Sequence, residues 1–198
     1  MEITIFENLK SKGNRNIIEF FGLSRSGKST VLKENIKEGY KGMNYGETGF
    51  ISRLFFFLKF VLKNPLRTLK LYLKLNSDWI KFRNLGVIKI YRLFLLRNSY
   101  LSAVLSKYEM IHNAKYKFLI DEYLLQTIFM IVVNKTNKKE IESVLNILPP
   151  LGRIVVIESS RKERYERIKK TRFPAQQIDK AYAVAWMKNM EYNYPIVI

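Results

Sequence analysis

An apolar run, Ile17-Ile18-Glu19-Phe20-Phe21, leads straight into Gly22-Leu23-Ser24-Arg25-Ser26-Gly27-Lys28-Ser29-Thr30, and Val31-Leu32 continue with helix-compatible residues. The stretch reads as a buried strand, a glycine-bounded turn and the start of a helix. Gly22, Gly27, Lys28 and Ser29 occupy every fixed position of the phosphate-loop pattern G-x-x-x-x-G-K-S/T. The chemistry asks for these residue types. Two glycines let the backbone curl until consecutive N–H groups point inward as an anion nest. A helix beginning near Lys28 adds the positive end of its dipole. Lys28 is placed to reach the β- and γ-phosphates, and the Ser29 hydroxyl to ligate Mg²⁺. Glycine turns between strands and helices are common. The flanking strand and helix make residues Gly22 to Thr30 a candidate nucleoside triphosphate site.

A chain of 198 residues is one domain with room for an inserted lobe. Cysteine is absent and His112 is the sole histidine, which removes disulfides, thiolate metal sites and histidine-based metal sites. Met1-Glu2-Ile3-Thr4 has neither a basic start nor a small-residue cleavage site, so a secretory leader is not expected. A triphosphate site implies cytosolic nucleotide, and the expected location is cytoplasmic. The 35 Lys and Arg against 17 Asp and Glu give a net charge of +18, which suits anionic partners: nucleotides, nucleic acid or an anionic membrane surface. A Lys-, Ile- and Asn-rich composition produces the same excess, so charge alone assigns no partner.

In chain order, Ile3 to Phe6 is a short β-like run before a polar turn at 10–14, which suggests a hairpin into the phosphate-loop strand. The helix from Lys28 is expected to reach about Glu38, stopped by Gly39. Residues 40–49, with Gly42, Gly46 and Gly49, read as a loop bordering a pocket. Residues 51–97 carry eleven cations against one acid, Asp78. Phe55 to Leu58 opens an apolar helix, Asn64-Pro65 caps a second, and Ser77-Asp78 caps a third that Gly86 interrupts. In the second helix Arg67, Lys70 and Lys74 share one face, with Leu66, Leu69, Tyr72 and Leu73 on the other. No run approaches the roughly 18 uncharged apolar residues of a membrane span. The lobe therefore reads either as a packed insertion with a solvated lysine face or as an amphipathic surface for an acidic or membrane-associated partner, which would make the protein peripheral at the membrane. Its aromatics follow core spacing, so nucleic acid is disfavoured.

Ser99 to Ala114 suggests a further helix. Then Phe118-Leu119-Ile120-Asp121-Glu122 has the form of a buried parallel strand that delivers carboxylates to its carboxyl end, where ligands bind in open α/β sheets. Asp121 is a candidate Mg²⁺ ligand, and Glu122 a candidate for accepting or orienting a hydroxyl proton. Helices are expected over roughly 122–134 and 138–148. Arg153 to Glu158 reads as a strand, followed by a cation-rich helix in which Arg164 and Arg167 emerge on one face and Arg172 follows. Arginines there suit a phosphoryl clamp, although Glu163 and Glu166 offer the same helix internal partners. Residues 175–190 look helical, and Tyr194 to Ile198 reads as a last strand.

This order of elements resembles the P-loop kinases of small molecules, among them the thymidylate, adenylate and deoxynucleoside kinases. Gly22 to Thr30 matches closely. Asp121-Glu122 with Gln126 resembles the acidic motif and trailing glutamine of the thymidylate-kinase-like group, with Glu122 where thymidylate kinases carry Arg. Arg164, Arg167 and Arg172 resemble arginines of a mobile lid over 159–175. The chain looks more like divergent kinase-like proteins of surface-polysaccharide gene clusters. The resemblance implies a three-layer α/β/α P-loop NTPase domain spanning 1–198, with a mostly parallel sheet and a basic helical insertion at about 40–112 in the place where these kinases hold their acceptor. It implies ATP and Mg²⁺ as cofactors and a small-molecule phosphoryl acceptor: a nucleotide, a sugar or a lipid-linked intermediate. Asn134-Lys135-Thr136-Asn137 lacks the aspartate of the guanine-reading motif of GTPases, and the Ser-Gly-Gly signature of transporter ATPases is absent. The other expectation is an ATP-dependent regulatory module that docks its basic helices on an anionic membrane or partner.

Overall fold

The computed structural model describes residues 2–6, 16–23, 26–36, 40–43, 49–77, 86–113, 115–121, 123–132, 134–169 and 180–197. Five strands form one sheet: β1 (Glu2–Phe6), β2 (Ile17–Phe21), β3 (Lys41–Met43), β4 (Phe118–Asp121) and β5 (Arg153–Glu158). Their spatial order is β1-β5-β2-β4-β3. The β2–β4, β2–β5 and β3–β4 pairings are parallel and β1–β5 is antiparallel. The helices are α1 (Lys28–Ile36), α2 (Phe50–Lys63), α3 (Pro65–Asn76), α4 (Val87–Ile111), α5 (Thr127–Ile131), α6 (Lys138–Ile147), α7 (Arg161–Lys169) and α8 (Lys180–Val197).

Apart from Glu19, the central strand is apolar on both faces, as suits a parallel strand covered on both sides. Its alternation sorts the core. Ile17 and Phe21 join Ile120, Ile154 and Val156 in a large cluster with α2 to α6 and α8. Phe20 joins Leu119, Ile157 and the α1 residues Val31 and Leu32 in a smaller cluster on the opposite face. The result is the expected α/β/α arrangement, lopsided, with α1 alone on one face among the described residues.

Four local expectations are corrected. The N-terminal run is a strand, but it pairs with β5 across the sheet, Ile3 opposite Ile157, and forms no hairpin with β2. Lys41 to Met43, expected as loop, is an edge strand; Lys41 N–H donates to the Lys117 carbonyl at 3.0 Å. A ladder of backbone groups needs no side-chain pattern, so Lys-Gly-Met gave no signal. Ser77 ends α3, and the helix expected to follow it at 78–85 lies outside the described residues. α4, preceded by the non-helical Gly86, runs 25 residues straight through the separate helix start expected at Ser99. Tyr194 to Val197 closes α8 and is no strand. Met190, Tyr194 and Val197 share a buried helical face, and Tyr194 stacks on Phe21 with ring centroids 5.5 Å apart. Pro195 lacks the N–H that a ladder would need.

The α2–α4 lobe is helical as expected, but α3 faces another way. Thr68, Leu71 and Leu75 are buried, whereas Leu66, Leu69 and Leu73 are 72, 56 and 63 % exposed. Two stripes with the same i, i+3, i+7 spacing compete on this helix, and α4 and α6 choose between them. Tyr72 bonds Ser102 at 2.6 Å, the buried Arg97 guanidinium donates to the Leu75 carbonyl at the end of α3, and Lys74 pairs with Glu140 at 3.0 Å. Glu109 of α4, also buried, takes Lys63 at 2.5 Å and Lys59 at 3.6 Å from α2.

The face assignment is directly testable. Leu71→Ala should cost about 2–5 kcal/mol and Leu69→Ala no more than about 0.5 kcal/mol in urea unfolding. The reverse ranking would restore the face read from sequence.

Candidate active site

β2 ends at Phe21, between the carboxyl ends of β4 and β5, with Gly22 next in the chain, and the register puts Phe20 beside Asp121 and Phe21 beside Val156. Gly22 has to be glycine. A Cβ there would lie 2.4 Å from the Ile157 carbonyl oxygen and 2.9 Å from Ser26 Oγ. Gly27 takes φ of 108°, a region that side chains disfavour. Between them Ser26 N–H donates to the Leu23 carbonyl at 3.1 Å, and the Gly27 carbonyl accepts from Thr30 at 3.0 Å to open α1. Ser24 and Arg25 lie outside the described residues.

Lys28 is buried, and its Nζ donates to the Gly22 carbonyl at 2.9 Å and the Leu23 carbonyl at 3.3 Å. The ammonium is thus folded over the loop, where phosphate oxygens would compete for it. Strand alternation sends Asp121 toward the α1 side of the sheet, the side of Leu119. There Ser29 Oγ donates to Asp121 Oδ2 at 2.6 Å. The second oxygen, Oδ1, is buried with no hydrogen-bond partner among the described residues. A hydroxyl and a half-satisfied carboxylate side by side fit Mg²⁺, which takes one or two protein oxygens and completes its shell with phosphates and water. Among the described residues no three His, Cys, Asp or Glu side chains gather into a protein-only cage. Ser29 and Asp121, paired from the sequence, are brought together.

Glu122 and Arg172 lie outside the described residues. Arg167 belongs to α7, but its side chain is outside them as well. Arg164 stands on the β5 side of the loop. Its guanidinium donates to the Ser159 carbonyl at 2.6 Å and to Glu191 at 3.0 Å, which ties α7 to α8. It also lines a cavity of about 250 Å³ with Leu23, Ser26, Ile157, Glu158, Ser159 and Tyr194. This hollow adjoins the glycine loop directly through Leu23 and Ser26. Burial raises the Tyr194 hydroxyl above its ordinary range, and the neighbouring Glu158 charge adds to it.

Sequence reasoning missed Glu19. It projects from β2 into the larger core, and its carboxylate accepts the Leu125 N–H at 2.8 and 3.0 Å and the Gln126 N–H at 3.1 Å. It thereby holds the turn that follows Asp121, including Gln126, whose own Oε1 is buried without a partner among the described residues. Desolvation pushes the Glu19 carboxyl from 4.5 to about 7, against the lowering effect of those amide bonds. The signal was present: one charged residue inside an apolar strand run demands a local partner.

No protein-family model matches the chain, and comparison with curated proteins finds no match. Among solved structures the chain is similar to deoxyadenosine kinase from M. mycoides with bound dATP, at 20 % identity and a TM-score of 0.43, over 90 % of this chain and 84 % of that one.

Two outcomes are expected. Gly22→Ala should cost about 1–3 kcal/mol, read in urea unfolding, because the Ile157 backbone cannot retreat without disturbing β5. For Glu19, folding raises the pKa, so the folded chain keeps a proton that the unfolded chain releases between 4.5 and about 7. Its contribution to stability is complete below 4.5 and is lost as pH rises toward 7. Unfolding midpoints measured across that window should fall with pH in the wild type, and Glu19→Gln should flatten the slope.

Proposed function

We propose that this chain is a kinase that transfers the γ-phosphoryl group of ATP, with Mg²⁺, to a small-molecule acceptor. The observation that carries the reading is the Ser29–Asp121 contact at 2.6 Å, made at the first turn of α1 beneath a glycine loop that Lys28 closes. That pairing joins the hydroxyl of the phosphate loop to a carboxylate at the end of the adjacent parallel strand, the two protein oxygens a Mg–triphosphate needs.

In this reading the loop amides and Lys28 draw negative charge off the phosphates as the bond between Pγ and the β,γ-bridging oxygen breaks. Ser29 and Asp121 would hold Mg²⁺, which would supply positive charge to offset that of the triphosphate. Glu122, the next residue after Asp121, takes the proton of the acceptor hydroxyl while its oxygen bonds to Pγ, and ADP leaves with the electron pair. Arg164, Arg167 and Arg172 close over the γ-phosphate; Arg164 must first exchange its Glu191 contact for phosphate. The acceptor enters from the α2–α4 side, and its class is a nucleoside or nucleotide, a sugar, or a lipid-linked intermediate. The protein works in the cytoplasm.

ADP release with Mg-ATP across nucleosides, nucleoside monophosphates, sugars and polyprenol phosphates tests this. One acceptor class should accelerate release, and Lys28→Ala or Asp121→Asn should lower the rate by about a hundredfold or more with an unchanged circular dichroism spectrum. Slow hydrolysis indifferent to every acceptor would replace the kinase with an ATP-dependent regulatory module.

A further inference from the structure

The α2–α4 lobe exposes apolar side chains that a solvated insertion has no reason to carry. Of the sixteen large hydrophobic residues exposed among those described, thirteen lie on these three helices. On α2, Ile51, Leu54, Phe55, Leu58 and Leu62 follow helical spacing along one side, while Phe60 points into the core. On α3 the stripe is Leu66, Leu69 and Leu73; on α4 it is Ile88, Tyr91 and Leu95. The α2 and α3 stripes meet at the tight Asn64–Pro65 turn, where Leu62 and Leu66 are 82 and 72 % exposed. Patches this extensive mark an interaction surface.

We propose that this lobe lies on an anionic bilayer, with the α2–α3 stripes set into the headgroup boundary. The choice of partner follows from charge. Residues 51–97 hold eleven cations and one acid. Lys59 and Lys63 are committed to Glu109, Lys74 to Glu140 and the buried Arg97 to the Leu75 carbonyl, while Lys70 on α3 and Arg92 on α4 are exposed beside the stripes. Packing the lobe against a second copy would bury its apolar stripes and set cations against cations. Anionic headgroups with acyl chains beneath them satisfy both features, as for amphipathic helices that lie in the membrane plane. No described helix is long and apolar enough to cross a membrane, which agrees with an in-plane contact. This inference does not rest on the kinase reading.

Flotation of the full chain with vesicles of phosphatidylcholine, with and without phosphatidylglycerol, provides the test. Binding is expected with the anionic lipid only, to fall at least several-fold when high salt shortens the screening length, and to be lost in an Ile51→Glu/Leu62→Glu double variant. Both positions are exposed, so the variant should keep the wild-type melting midpoint; Leu66→Ser/Leu69→Ser serves as a second, independent disruption. Failure to float with anionic vesicles would overturn the proposal, as would binding that both variants retain. So would a concentration-dependent dimer, seen by analytical ultracentrifugation, that the variants convert to monomer; it would assign the surface to a second copy.

Discussion

The parallel register of β2 between β4 and β5 is the constraint from which the site follows. Phe20 opposite Asp121 and Phe21 opposite Val156 bring three carboxyl ends to one level. Gly22 then passes so close to Ile157 that no side chain fits between them. A slip of one residue would exchange the two faces of β2, sending Glu19 toward α1 and Phe20 toward the larger core. Register, loop shape and the Ser29–Asp121 contact are one arrangement viewed from three places.

Buried charge is the second organising theme. Glu19, Glu109 and Arg97 are each almost fully shielded, and each joins elements distant in sequence. Glu19 ties the central strand to the turn after Asp121, Glu109 ties α4 to α2, and Arg97 closes the end of α3. Burying such groups is costly unless they are bonded, so each contributes more to choosing one arrangement than to net stability. The Glu19 contact couples the core to the candidate site directly. The same strand that leads into the glycine loop also holds the turn that follows Asp121.

The lobe poses the opposite problem. Its exposed stripes are not needed to hold the α/β body, which covers both faces of β2 without them. A surface that is both apolar and cationic is a poor match for water and for its own copy, and a good one for a charged interface.

The sequence by itself determined what local spacing can determine. The glycine turn between β2 and α1, the strands at 118–121 and 153–158, the helix after Lys28 and the Pro65 helix start are each specified within a dozen residues, because turn chemistry and burial period act over that range. Asp121 was legible as the end of a buried strand. Only tertiary structure decided the rest. Leu66–Leu69–Leu73 and Thr68–Leu71–Leu75 are equivalent stripes until α4 and α6 pack on one of them. β1 finds β5 through backbone groups that no side chain announces. Tyr194 to Val197 is β-like by composition, and becomes helical because Tyr194 stacks on Phe21 while Pro195 cannot serve a ladder. Glu163 and Glu166 stood as nearby partners for Arg164 in the sequence, but its guanidinium reaches the Ser159 carbonyl and Glu191 of α8. In each case the deciding partner lies far along the chain, where spacing carries no information and close packing does.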